Sequence, residues 1–78
     1  MATTHTYSIT AKYIEGECLV TSISIQFSGD VTDLVETSVY HFQPQTVEEV
    51  EANIENRIVT EREKILARQK MQEIINEL

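Results

Sequence analysis

The periodicity of the chain changes at Pro44. Before it, apolar residues recur every second position among β-branched and hydroxyl side chains; after it, they recur every third or fourth among helix formers. A strand half followed by a helical half therefore predicts an α+β fold, with 1–43 forming a sheet and 44–78 the helical part. With 78 residues there is room for a single domain, 1–78, and for a core that is marginal on its own.

Within the first half, Tyr7, Ile9, Ala11 and Tyr13 alternate with Ser8, Thr10 and Lys12, which predicts a strand with one buried face. Glu15-Gly16-Glu17 breaks the run as a tight hairpin loop. Leu19, Ile23, Ile25 and Phe27 then share one face of a second strand, and Val20, Ser22, Ser24 and Gln26 the other. Ser28-Gly29-Asp30 is a second turn signal. A third strand is expected over 35–42, with Asp33 near its start. There Val35, Thr37 and Val39 lie on one face, whereas Leu34, Tyr40 and Phe42 fall on the other. Such mixed faces fit burial on both sides, a bulge, or a covered second face. The expected sheet is a small three-stranded antiparallel β-meander.

Proline ends the sheet, and Thr46 with Glu49 makes a capping-box signature for a helix whose first turns also hold Glu48 and Glu51. Val47, Val50, Ile54 and Ile58 form a stripe that predicts packing on the sheet, and Ile65 returns to it. Thr60 with Glu63 repeats the capping spacing, so residues 46–78 fit either one long helix or two consecutive helices broken near Thr60. A second stripe follows: Ala67, Met71, Ile74, Ile75 and Leu78. At about 100° per residue its centre lies more than 100° round the helix from the first. A straight helix cannot aim both stripes at one sheet. Either a bend near Thr60 folds the end of the chain back onto the sheet, or residues 61–78 are a docking arm whose stripe meets another polypeptide, or the end frays.

Charge sharpens the contrast between the halves. The formal net charge is -7, from six Lys and Arg against thirteen Asp and Glu. Residues 1–56 hold nine acids and only Lys12 as a base, a net -8, whereas residues 57–78 hold five bases and four acids, a net +1. An acidic body argues against binding nucleic acid or an anionic membrane surface, since both demand basic patches. No stretch approaches the roughly 20 apolar residues of a membrane-spanning helix. The N-terminal Met1-Ala2-Thr3-Thr4-His5-Thr6 has neither the basic region nor the apolar run of a signal peptide, and the single Cys18 cannot form an internal disulfide. The expected location is the cytoplasm or an intracellularly assembled particle.

Catalysis finds little support. Two glycines placed singly make no phosphate loop. Of the two histidines, His5 is expected in a frayed terminus and His41 as a surface or half-buried strand residue, and neither sits at metal-ligand spacing. Cys18 has no cationic neighbour in sequence to activate it. Glu15 with Glu17, and Asp30 with Asp33, read as solvated turn residues rather than calcium ligands. No catalytic, cofactor-binding or metal-ligating residue is expected. The five aromatics lie in the sheet half, where they suit a core or a protein interface.

The chain thus reads as a non-enzymatic interaction or assembly module. It would be a minor subunit of a larger complex, such as a viral or phage particle, that meets a protein partner or a second copy of itself. The partner-binding residues would be Ala67, Met71, Ile74, Ile75 and Leu78. The alternative is an acidic inhibitor that mimics nucleic acid, with Glu48, Glu49, Glu51, Glu55, Asp30, Asp33 and Glu36 occupying a basic site.

Overall fold

The structure, a computed structural model, describes residues 3–78; Met1 and Ala2, and with them the start of the N-terminal segment read above, lie outside the described residues. Three strands, β1 (Thr4–Glu15), β2 (Cys18–Ser28) and β3 (Leu34–Phe42), form an antiparallel meander with β2 in the centre, and one helix, α1 (Val47–Glu77), follows. The expected α+β architecture is what the chain adopts. Of the two helical alternatives, the single long helix is found.

The β1–β2 hairpin turns through two residues, Gly16 and Glu17, because Glu15 pairs with Cys18. Gly16 has φ of 61° while Glu17 stays at negative φ, the arrangement of a hairpin turn with glycine at its first central position. A Cβ added there would meet nothing within 4 Å. Gly16→Ala is therefore expected to cost about 1 kcal/mol through backbone strain alone. Chemical denaturation should show this as a shifted midpoint with an unchanged slope.

In β2, Ile23, Ile25 and Phe27 point at the helix and are fully buried, as the alternation predicts. β1 departs from it. A bulge lies between Ile9 and Ala11, and Thr10 turns its hydroxyl to the carbonyl of Ser22 at 3.2 Å. One extra residue reverses the phase of everything after it. Tyr7 and Ile9 share the helix-facing side with their partners Ile25 and Ile23, but Ala11 and Tyr13 fall on the opposite side, where Tyr13 pairs with Val20. The four residues expected on one buried face are thus divided between two, and only Tyr7 packs against the core.

β3 is regular where the sequence left bulging or double burial open. Val35, Thr37, Val39 and His41 face the helix; Leu34, Tyr40 and Phe42 lie exposed on the uncovered side. The connection to α1 passes through Gln43, which holds φ of 45° and donates its N–H to the Glu17 carbonyl at 3.1 Å, tying this turn to the hairpin loop.

Thr46 caps α1 as expected, its hydroxyl accepting from the N–H of Glu49 at 3.2 Å. The Glu49 carboxylate reaches back to the N–H of Gln45 at 3.2 Å, so the reciprocal bond falls one residue earlier than in the usual box. α1 comes closest to β3 and closes the core with Ile54, Ile58 and Ile65 over Ile23, Ile25, Phe27, Val31 and Val39. Val47, expected in the same stripe, is 68% exposed because it lies at the rim of the sheet.

Thr60 does not start a second helix. Its hydroxyl turns back to the carbonyl of Asn56 at 3.1 Å, a bond that satisfies the side chain inside a continuous helix. What looked like a gap in the apolar stripe is filled by Glu61, which is buried between Ile58 and Ile65. Its carboxylate accepts from Arg57 Nε at 2.9 Å and lies 3.6 Å from Lys64 Nζ, while Arg57 also donates to the Thr37 hydroxyl at 2.9 Å. A paired carboxylate can hold a core-facing position that an unpaired one cannot.

Candidate interaction surface

A helix of 31 residues is about 46 Å long at 1.5 Å per residue. The body does not support that length throughout. Beyond Ile65 every remaining residue of the chain is exposed, so about 20 Å of helix, residues 66–78, projects past the core. The longest dimension of the molecule, 48 Å, matches the helix.

On this projecting arm the second stripe has no sheet beneath it. Ala67 is exposed, Met71 is 55% accessible, Ile74 54%, Ile75 60% and Leu78 fully so. The arm does not fold back, so the bend that would have buried these residues is absent. The polar side carries Arg68, Lys70, Glu73 and Glu77, of which Lys70 and Glu73 approach to only 4.0 Å. No basic residue occupies the last turn.

Two further apolar surfaces lie on the body, one unread in the sequence and one built from aromatics that the sequence assigned to a core or a protein interface. One is a groove of about 580 Å³ where the start of α1 crosses the end of the sheet, bounded by Ile9, Ile14, Leu19, Val47 and Val50 with Lys12 at its edge. The bulge in β1 helps make it, since the phase change turns Ile14 toward the helix side. No residue type announces a bulge at Thr10, and so nothing in the alternation pointed here.

The other lies on the uncovered face of the sheet. Tyr13, Val20 and Tyr40 form one cross-strand row, and the two tyrosines close over Val20 so completely that it is buried without any second layer. Phe42 continues the patch and is 68% exposed. The Glu15 carboxylate beside Tyr40 holds that phenol protonated above its ordinary pKa, with smaller contributions from Tyr13 and desolvation. The rest of this face is polar, with Ser22 and Ser38 hydrogen bonded at 3.2 Å.

Both histidines are held in structural contacts. His41 is buried rather than at the surface. Asn53 Nδ2 donates to its Nδ1 at 3.1 Å, which leaves Nε2 to carry the proton and donate to the Thr21 hydroxyl at 3.0 Å. Burial lowers its pKa. The site is a satisfied polar bridge between β2, β3 and α1. His5 is not frayed: it lies in β1, stacks edge-on against Phe27 at 6.4 Å and contacts Glu55 at 3.0 Å. Cys18 is a half-buried free thiol at the start of β2. Among the described residues no three His, Cys, Asp or Glu side chains come together as a metal site, and no helix is long and apolar enough to cross a membrane.

Comparison with models of known families, with curated proteins and with solved structures finds no match.

Proposed function

We propose that the protein is an interaction or assembly module that presents its C-terminal helical arm to a protein partner. The observation that carries this reading is the arm itself: five apolar side chains, Ala67, Met71, Ile74, Ile75 and Leu78, on one side of a helix that has left its own core behind. A helix contributing only to its own domain gains nothing from such a stripe, whereas an amphipathic helix offered to a groove or to another helix is read at this spacing. On this reading the chain is a subunit of a larger particle, viral or otherwise, assembled inside the cell, with the arm as its point of attachment.

The acidic-mimic alternative has less behind it. Asp30 and Asp33 follow the end of β2 that pairs with the start of β3, while Glu48, Glu49 and Glu51 open α1 beyond the other end of that strand. Glu55 is engaged by His5. The carboxylates are divided between two ends of the sheet and do not form one array.

The test is a variant with both Ile74→Asp and Leu78→Asp. Neither side chain touches the core, so the melting temperature should move by no more than about 2 °C. Association with the partner, measured by recovery from the native source and by sedimentation of the purified chain, should fall at least about tenfold. Unchanged association in a folded variant would end this reading.

A further inference from the structure

We infer that the arm pairs with the arm of a second copy, antiparallel and about a two-fold axis; this rests on the docking reading above and names its partner.

The stripe has the spacing of a short coiled-coil seam. Ala67, Met71, Ile74 and Leu78 follow one another at four, three and four residues, so they occupy the positions d, a, d and a of a heptad. All are exposed. In an antiparallel pair the layers join an a residue to a d residue. Met71 then meets Ile74 of the second copy, and the small Ala67 meets the larger Leu78, each layer occurring twice by symmetry. Large against small at both ends suits close packing without strain.

The flanking charges select this arrangement. Lys70 and Glu77 both occupy g positions, and in the register fixed by those layers g faces g. Lys70 of one copy stands against Glu77 of the other, twice in the dimer. Within one chain, among the described residues, Lys70 has only the long contact with Glu73, both groups being more than two-thirds exposed. Glu77 sits in the last turn, where the helix dipole disfavours an anion and no basic side chain offsets it. A cation from the second copy answers both. On the other flank Arg68 lies against Ile75, whose apolar surface the arginine stem can cover.

The parallel alternative gains Glu63 against Arg68 but loses more. Extended along the same heptads, it sets Lys64 against Lys64 in the seam. It also brings the two bodies side by side, each with a net -8 over residues 1–56. In the antiparallel pair the bodies lie at opposite ends. Measured from the pairing centre, Ile58 of each copy is about 22 Å away along the axis. The bodies are then separated by several screening lengths of about 8 Å at physiological salt.

The paired segment spans only 12 residues of each chain, so its interface falls below the size of a standard stable one, and a weak dimer with a dissociation constant in the micromolar range or above is expected. Sedimentation velocity on the full chain from about 10 µM to 1 mM should show a concentration-dependent monomer–dimer equilibrium. Lys70→Glu and Glu77→Lys should each weaken it about three- to tenfold by placing like charges together at two symmetric sites, and the double swap should restore it. In a Cys18→Ser background, Met71→Cys mixed with Ile74→Cys should form an oxidised heterodimer faster than either variant forms a homodimer. A chain that stays monomeric across the range, or a dimer indifferent to the charge swaps, overturns the self-pairing. The docking reading fails separately: it falls only if Ile74→Asp with Leu78→Asp also leaves recovery of a native partner unchanged.

Discussion

Ile58→Ala should destabilise the domain by about 3 kcal/mol, within the range of about 2–5 kcal/mol found for truncating a large buried aliphatic side chain. Ile58 is fully buried, and it lies on α1, which among the described residues is the one layer that covers the sheet. A domain of this size has roughly 4–12 kcal/mol in total, so the variant should retain only part of its fold stability and melt at least about 10 °C lower. Ile75→Ala removes the same atoms from the same helix and should change stability by less than about 0.5 kcal/mol, because its side chain is 60% exposed. The pair, compared by thermal and urea unfolding, separates the core function of α1 from that of its arm. Equal effects at the two positions would mean that the arm is held against the body.

His41→Ala should cost about 2–4 kcal/mol. The imidazole fills space between sheet and helix, and its loss also leaves the Thr21 hydroxyl and the Asn53 amide without their partner. The same residue makes stability depend on pH, and the direction follows from its lowered pKa, whose cause is burial. Above about pH 6.5 the imidazole is neutral in both the folded and the unfolded chain and the full stability is present. Below it the unfolded chain takes up a proton that the folded chain refuses. Stability therefore falls as pH drops from about 6.5 toward the folded pKa, by at most about 1.4 kcal/mol per pH unit. Measured in a His5→Ala background, which leaves His41 as the one histidine of the chain, the decline should be present with His41 and absent in His41→Gln. A flat profile between about pH 7 and pH 5.5 with His41 in place would contradict the buried, neutral tautomer.

The fold was legible wherever a single residue imposes geometry. Gly16 marks the hairpin because the loop demands positive φ, and Thr46 marks the helix start because its hydroxyl and the Glu49 N–H are one turn apart. The burial of Ile23, Ile25 and Phe27 followed from an unbroken alternation in the central strand. Where a feature depends on a partner strand or on distant pairing, the sequence was mute. Thr10 has no property that foretells a bulge, so the faces of Ala11 and Tyr13 were misassigned. Glu61 reads as one of a charged run until the sheet lies beneath it, where Lys64 and Arg57, the latter also donating to Thr37 of β3, pair its carboxylate. His41 looked peripheral because Asn53 and Thr21, which satisfy it, come from two other elements. The candidate site was more legible than the body around it. Its stripe was readable from spacing alone, and the angular mismatch between the two stripes pointed to a segment without a place on the sheet. Only the length of the sheet, set by strands that end near the level of Ile65, decides where the helix becomes an arm.

The continuity of α1 through Thr60 also bears on how fast and how tightly the arm can be captured. A peptide of its 13 residues would spend most of its time as coil in water, because the first helical turn is costly to nucleate and a short helix recovers little by propagation. Here the turn before it is already clamped by Ile58, Glu61 and Ile65, so the arm propagates from an existing nucleus. Its amides should exchange with solvent in a gradient, slow near Ile65 and fast toward Leu78, without a sharp boundary. Any partner would consequently meet a rod that is already wound, the entropy of ordering it having been offset in advance by the core next to its base.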